Sequence, residues 1–224
     1  MKNMKLLRAF LKTLFCVSVV LCSTSNAGAV TWIDWQSTSN GSLTIGSTNI
    51  GVSMTGNPMA LVNGDSYYNN GSTGGTSPSG TYGGLTPSDL IQVNGTGTFN
   101  LTFDSPIVDP YIALVSVGQG GWPVTYSFDD PFSVISSGGN YWGYSGYSVS
   151  PDGTDFTGSE YNGILKFSGT YSSISFDIAP SEHWHGFNFG VADSASSVPE
   201  PATLLLFGVG LVGVGIARRL RRQA

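Results

Sequence analysis

Four aromatic side chains crowd into seven residues, Tyr141-Trp142-Gly143-Tyr144-Ser145-Gly146-Tyr147. At strand spacing they cannot all face one core, so part of the set must lie at the surface, where an aromatic face stacks on the apolar side of a sugar ring. Tyr141, Trp142, Tyr144 and Tyr147 are therefore the candidate glycan contacts, with padding of a sheet edge as the structural alternative. Carboxylates offer a second chemistry. Asp129-Asp130 and Asp152-Gly153-Thr154-Asp155 put hard oxygen donors at turns, a setting that suits calcium. Asp129, Asp130, Asp152 and Asp155 are the candidate ligands, although Asp and Gly also make turns with no ion present. No other cofactor is expected.

Histidine is scarce: the chain has two, in Glu182-His183-Trp184-His185-Gly186. Residues two apart on a strand share a face, so both imidazoles could reach one metal. A zinc or copper site takes at least a third protein ligand, and no motif supplies it. The same face would continue through Phe187, Phe189 and Val191, so structural histidines are the expectation. Nucleophilic catalysis has even less to work with, because there is no Gly-x-Ser-x-Gly elbow and both cysteines, Cys16 and Cys22, fall in an N-terminal leader. Thirteen acids between residues 30 and 197 form many pairs that could hydrolyse a glycoside, and only a cleft chooses among them. The expectation is a body that is not an enzyme, with a glycosidase-like surface hydrolase as the alternative. Thr96-Gly97-Thr98 is too short for the flat threonine array of an ice-binding protein, which stays a minor alternative.

The elements that must position these residues are strands. Ile50, Val52 and Met54 alternate, as do Phe99, Leu101 and Phe103; Val124, Tyr126 and Phe128; Ile174, Phe176 and Ile178; and Phe187, Phe189 and Val191. Each run has one face in a core. Tyr111 to Val117 is nearly continuous in apolar residues and reads as a strand covered on both faces. Gly- and Pro-rich breaks such as Gly120-Gly121-Trp122-Pro123 and Asp129-Asp130-Pro131 separate the runs. Many short strands and little helix predict an all-β antiparallel β-sandwich of jelly-roll kind. A long exposed loop is expected at Tyr67 to Gly75, the loosest piece of a Gly-, Asn- and Ser-rich first part.

Both ends are of a different kind. Lys2, Lys5, Arg8 and Lys12 precede an apolar run and Ala27-Gly28-Ala29, the layout of a signal peptide cut by signal peptidase after Ala29. Val198 to Ala224 carries Pro199-Glu200-Pro201, then Ala202 to Ala217 without a charge, then Arg218, Arg219, Arg221 and Arg222. As a helix the uncharged run would span about 24 Å, and snorkelling arginines would cover the rest of a bilayer core. The arginines would stay cytoplasmic and stop transfer, while the two prolines keep Glu200 in an extended segment that a protease can read.

This order of Pro-Glu-Pro, apolar helix and arginine cluster resembles the PEP-CTERM sorting signal. The resemblance implies recognition of Pro199, Glu200 and Pro201 by an exosortase-type membrane protease in a Gram-negative host, transient residence in the inner membrane with a periplasmic body, and delivery to the cell surface or an exopolysaccharide matrix. Runs similar to Gly158-Ser159-Glu160, Lys166-Phe167-Ser168-Gly169 and Trp184-His185-Gly186-Phe187 also occur in other PEP-CTERM cargo. The organisation expected is a signal peptide at 1–29, one exported domain at 30–197, and a sorting signal at 198–224 with a transmembrane helix at 202–217. In the middle domain Lys166 stands alone against eleven Asp and two Glu, a net charge of −12. That sign excludes nucleic acid as a partner and favours cations, basic partners or neutral sugars such as an exopolysaccharide. The body is expected to be a structural or carbohydrate-binding matrix module.

Overall fold

The computed structural model describes residues 30–62, 67–69, 81–82, 88–139 and 142–192. The leader with Ala27 and Ala29, and the tail with Pro199 to Pro201, the expected helix 202–217 and the four arginines, lie outside the described residues. Among the described residues no helix is long and apolar enough to cross a membrane.

The described residues are all-β, in two antiparallel sheets. One contains β1 (Val30–Trp32), β5 (Ala60–Val62), β6 (Leu90–Val93), β8 (Pro110–Val117), β10 (Phe132–Gly138), β13 (Tyr161–Phe167) and β15 (His185–Ala192), in the order β10-β13-β8-β15-β6-β5 with β1 also on β15. The other contains β2 (Asp34–Trp35), β3 (Asn40–Ile45), β4 (Thr48–Thr55), β7 (Gly97–Val108), β9 (Val124–Phe128), β11 (Gly146–Val149), β12 (Asp155–Ser159) and β14 (Thr170–Ala179), in the order β11-β12-β9-β14-β7-β4-β3-β2. Within this plan β6 pairs with β15, β7 with β14, β8 with β13 and β9 with β12. First partners last, a nesting shared with jelly rolls, in which one long antiparallel ribbon folds over into two sheets.

The alternating runs supply the core between the sheets. Val52 and Met54, Phe99 and Leu101, Tyr126 and Phe128, Phe176 and Ile178, and Phe187 and Phe189 are all buried there. Phe99 stacks on Phe176 at 5.5 Å, and Phe176 meets Phe187 edge to face at 5.4 Å. Such aromatic pairs add about 0.5–1.5 kcal/mol each beyond the area they bury.

β8 is buried on both faces because a second apolar cluster covers the outside of its sheet. Tyr68, Tyr82, Leu90, Ala113, Val115 and Ile164 form it. The expected loop at Tyr67 to Gly75 is corrected in part here: Tyr67–Asn69 is a 3-10 turn, and Tyr68 is fully buried. Tyr82 donates its hydroxyl to the Leu114 carbonyl at 3.1 Å and meets Tyr68 edge to face. A buried polar knot holds the other flank, where Trp35 Nε1 donates to Asn188 Oδ1 at 2.9 Å and Asn188 Nδ2 donates to the carbonyls of Ile33 and Asp89.

Candidate functional site

The nested pairing decides which loops meet. β8 ends at Val117 beside the start of β13, and β15 runs antiparallel to β8. The β8–β9 loop, the β12–β13 turn and the β14–β15 connection therefore share one end of the sandwich. Turns around Asp129, Asp130, Asp152 and Asp109 lie at the opposite end, since Asp155 pairs with Ser127 while Gly158 pairs with Val124.

At the first end two open depressions adjoin. One, of about 170 Å³, is lined by Ser116, Gly118, Gln119, Trp142, Glu160, Glu182, His183 and Trp184. The other, of about 350 Å³, shares Gln119, Glu182 and His183 and adds Trp122 and Ser181. Trp122 is 51% exposed and is fixed by its Nε1 donating to the Ser181 carbonyl at 3.0 Å. On the far side Trp142 and Trp184 lie with ring centres 4.7 Å apart, and Tyr67 backs both. The result is a carboxylate-lined groove with tryptophan at each end.

The carboxylates are held by unusual backbone. Ser116 and Glu160 have φ of 54° and 52°, two of the three non-glycine residues in the left-handed region among those described. Sparsely populated backbone of this kind costs about 1–3 kcal/mol and persists where the surroundings enforce it. Here a bulge in β8 enforces it: Tyr161 pairs with Val117 but Gly163 with Leu114, so Asn162 faces two residues. Asn162 is fully buried, accepts the Ser116 N–H at 2.8 Å and donates to the Gly143 carbonyl at 3.2 Å, tying the loop that carries Trp142 to the bulge. Ser116 Oγ in turn donates to Glu160 Oε1.

Glu182 is more enclosed. Its side chain is 2% exposed, yet it lines both depressions. Its Oε1 accepts the Gly118 N–H at 3.1 Å and lies 2.6 Å from His185 Nδ1. That second contact is close but badly directed, and neither ring nitrogen of His185 makes a well-formed hydrogen bond. Gly118 permits the arrangement because its φ is +70° and a Cβ there would sit 2.2 Å from the Gly158 carbonyl oxygen. Burial pushes the Glu160 carboxyl above the usual carboxylate range, the Ser116 hydroxyl opposes the shift, and the charge on Glu182 adds to it. Burial, with the Glu182 charge behind it, also keeps the Tyr126 hydroxyl protonated well beyond its ordinary range.

Of the candidate glycan contacts, Trp142 lines the groove. Tyr144 and Tyr147 are each 42% exposed, but their rings rest on Tyr161, Tyr147 also stacking on Phe156. Tyr141 lies outside the described residues. The two histidines do not share a face: His183 sits exposed before β15, while His185 begins that strand fully buried beside Tyr126. Asp152 serves a turn, accepting from Ser150 Oγ at 2.5 Å and the Thr154 N–H at 3.3 Å, and these bonds hold its carboxyl below the usual range. Among the described residues no three Asp, Glu or His converge as a metal site, so Asp129, Asp130, Asp152 and Asp155 are not brought together as one.

Comparison with known proteins speaks to the tail. Residues 197–222 match the family described as the PEP-CTERM protein-sorting motif. The chain carries a PEP-CTERM sorting signal. The matched span takes in Pro199-Glu200-Pro201 and Arg218 to Arg222, and a PEP-CTERM signal implies export and recognition by an exosortase, a membrane protein. No curated protein and no solved structure matches the chain, so what the sandwich of this PEP-CTERM protein does is argued from its own groove.

Proposed function

We propose that this exported, exosortase-processed protein is a non-enzymatic glycan-binding module of the cell surface or extracellular matrix. The observation that carries the reading is the groove at one end of the sandwich, with Trp122 at one side, Trp142 and Trp184 at the other, and two carboxylates between. Tryptophan faces take the C–H sides of successive sugar rings, and Glu160, Glu182 and Gln119 accept or donate to hydroxyl groups. The groove is open and shallow, which suits a chain that passes through better than a small molecule enclosed on all sides. Three of the five tryptophans and both histidines gather at this end.

Affinity electrophoresis in gels containing neutral polysaccharides tests the reading. Trp142→Ala and Trp122→Ala should each weaken retardation roughly tenfold, in line with one lost stacking or hot-spot contact. Retardation equal to wild type in both variants would sink the proposal.

A hydrolase is the second reading, favoured by Glu160 and Glu182 in one depression, one of them with a raised pKa. It requires turnover of a glycan that Glu160→Gln abolishes, whereas the binding module gives retention without product.

For sorting, we infer that Ala202 to Ala217 spans the inner membrane until the exosortase acts near Pro199-Glu200-Pro201, and that signal peptidase has already cut after Ala29. Replacing Pro199, Glu200 and Pro201 together with alanine should leave the protein in the membrane fraction with its arginines attached. Intact mass of the secreted parent and of the variant decides.

A further inference from the structure

Resting on the glycan-binding reading, we propose that the groove selects cationic amino sugars, glycans whose residues carry a free primary amine, over neutral and uronic-acid glycans. The chain between residues 30 and 197 contains eleven Asp but only two Glu, and both glutamates line the same depression. Glutamate has one more methylene than aspartate, so from the β12–β13 turn and the β14–β15 connection each can reach a shared point. Among the described residues no Lys or Arg meets them there, and the basic groups nearby are His183 and His185. Lys166, the one Lys or Arg of that span, belongs to the opposite end, where its Nζ binds Asp109 at 3.1 Å.

Glu182 is the stronger indication of a ligand. Its side chain is 2% exposed yet borders the depression, and its Oε1 accepts the Gly118 N–H and lies 2.6 Å from His185 Nδ1. A carboxylate so enclosed gains from each further donor that reaches it, and the groove is where one can arrive. An ammonium group supplies charge-assisted donors to Glu182 and Glu160. Trp142 and Trp184, which line the same depression, take the ring that bears it, and a cation over an indole face gains further attraction. Anionic sugars meet two like charges with nothing to offset them. An N-acetylated sugar keeps the ring contacts and loses the charge.

Binding of the purified exported protein to three oligosaccharides separates these cases: a glucosamine tetrasaccharide, its fully N-acetylated counterpart, and a glucuronate-containing tetrasaccharide, each followed by calorimetry at low salt. The free-amine oligomer should bind about tenfold more tightly than the N-acetylated one, the worth of one charge-assisted hydrogen bond, and the glucuronate oligomer should bind weakest. Glu160→Gln should bring the first ratio close to one. The Asp129→Asn, Asp130→Asn double variant, which removes charge at the opposite end, should leave that ratio in place.

Equal affinity for the amine and N-acetyl forms, with both lost in Trp142→Ala, would overturn the amino-sugar inference and leave glycan binding standing. A loss of preference in the Asp129, Asp130 variant matching that in Glu160→Gln would overturn it too, by assigning the effect to net charge. Tetralysine binding as tightly as the glucosamine oligomer would show a cation site without sugar recognition. Failure of all three oligosaccharides to bind would remove the glycan reading and the inference with it.

Discussion

Glu160 combines left-handed backbone, partial burial and a second carboxylate nearby. Because its folded pKa is raised, the ionised form is disfavoured in the fold relative to the unfolded chain. Stability therefore falls as pH rises through the interval between the ordinary value of about 4.3 and the raised one. Glu160→Gln keeps an acceptor for the Ser116 hydroxyl and removes the charge. Its melting temperature should exceed that of wild type at neutral pH, and the gain should vanish as pH drops below about 4, a profile that thermal unfolding across pH reads directly. Asp109 has the opposite sign. The Gly169 N–H first, and Lys166 second, hold its carboxyl below the usual range, so it contributes stability above about pH 4 that is lost on acidification. Asp109→Asn should destabilise at pH 7 and converge with wild type in acid, with the left-handed backbone at this position still tolerated by Asn.

At the level of elements the β8 bulge is the hinge of the site. One buried side chain, Asn162, spans it, and the bonds to Ser116 and Gly143 hold the Glu160 turn and the Trp142 loop in one geometry. Asn162→Ala should cost about 2–3 kcal/mol from unpaired buried groups, a fall in melting temperature of roughly 5–10 °C for a domain of this size. It should also weaken glycan retardation although Asn162 does not line the groove. Loss of stability with unchanged retardation would separate the bulge from the site. The β8–β9 loop depends on Gly118 in the same way, since a side chain there meets the Gly158 carbonyl of β12.

Across the whole molecule the two ends of the sandwich have different chemistry. One end gathers tryptophans, glutamates and histidines; the other gathers aspartates in turns and the Lys166–Asp109 pair. The sandwich holds no cysteine in the described residues, so its stability rests on the aromatic core and on buried bonds such as Trp35 to Asn188. Thermal unfolding of the processed protein should be the same with and without a reductant. The acidic charge of the body repels anionic surfaces, so in the sorting proposed above it is the PEP-CTERM signal that holds the protein to the envelope.

Local patterns in the sequence determined much of this. Alternation along Phe99 to Phe103, Val124 to Phe128 and Phe187 to Val191 identifies strands and their core faces, because side chains on a strand change sides at every residue. The double-sided burial of Tyr111 to Val117 is legible for the same reason. The sorting signal is linear chemistry, three unlike elements in order, and needs no fold to be read. The site was a matter for tertiary structure. Trp122, Glu160 and Glu182 stand in three separate connections, and only the nested pairing of β8 with β13 and of β9 with β12 brings those connections to one end. The scarcity of glutamate among aspartates is a signal in the sequence, but scarcity carries no distance. Nor could spacing show that His183 and His185 part company, because the strand begins between them, at a point fixed by its neighbours in the sheet rather than by its own residues.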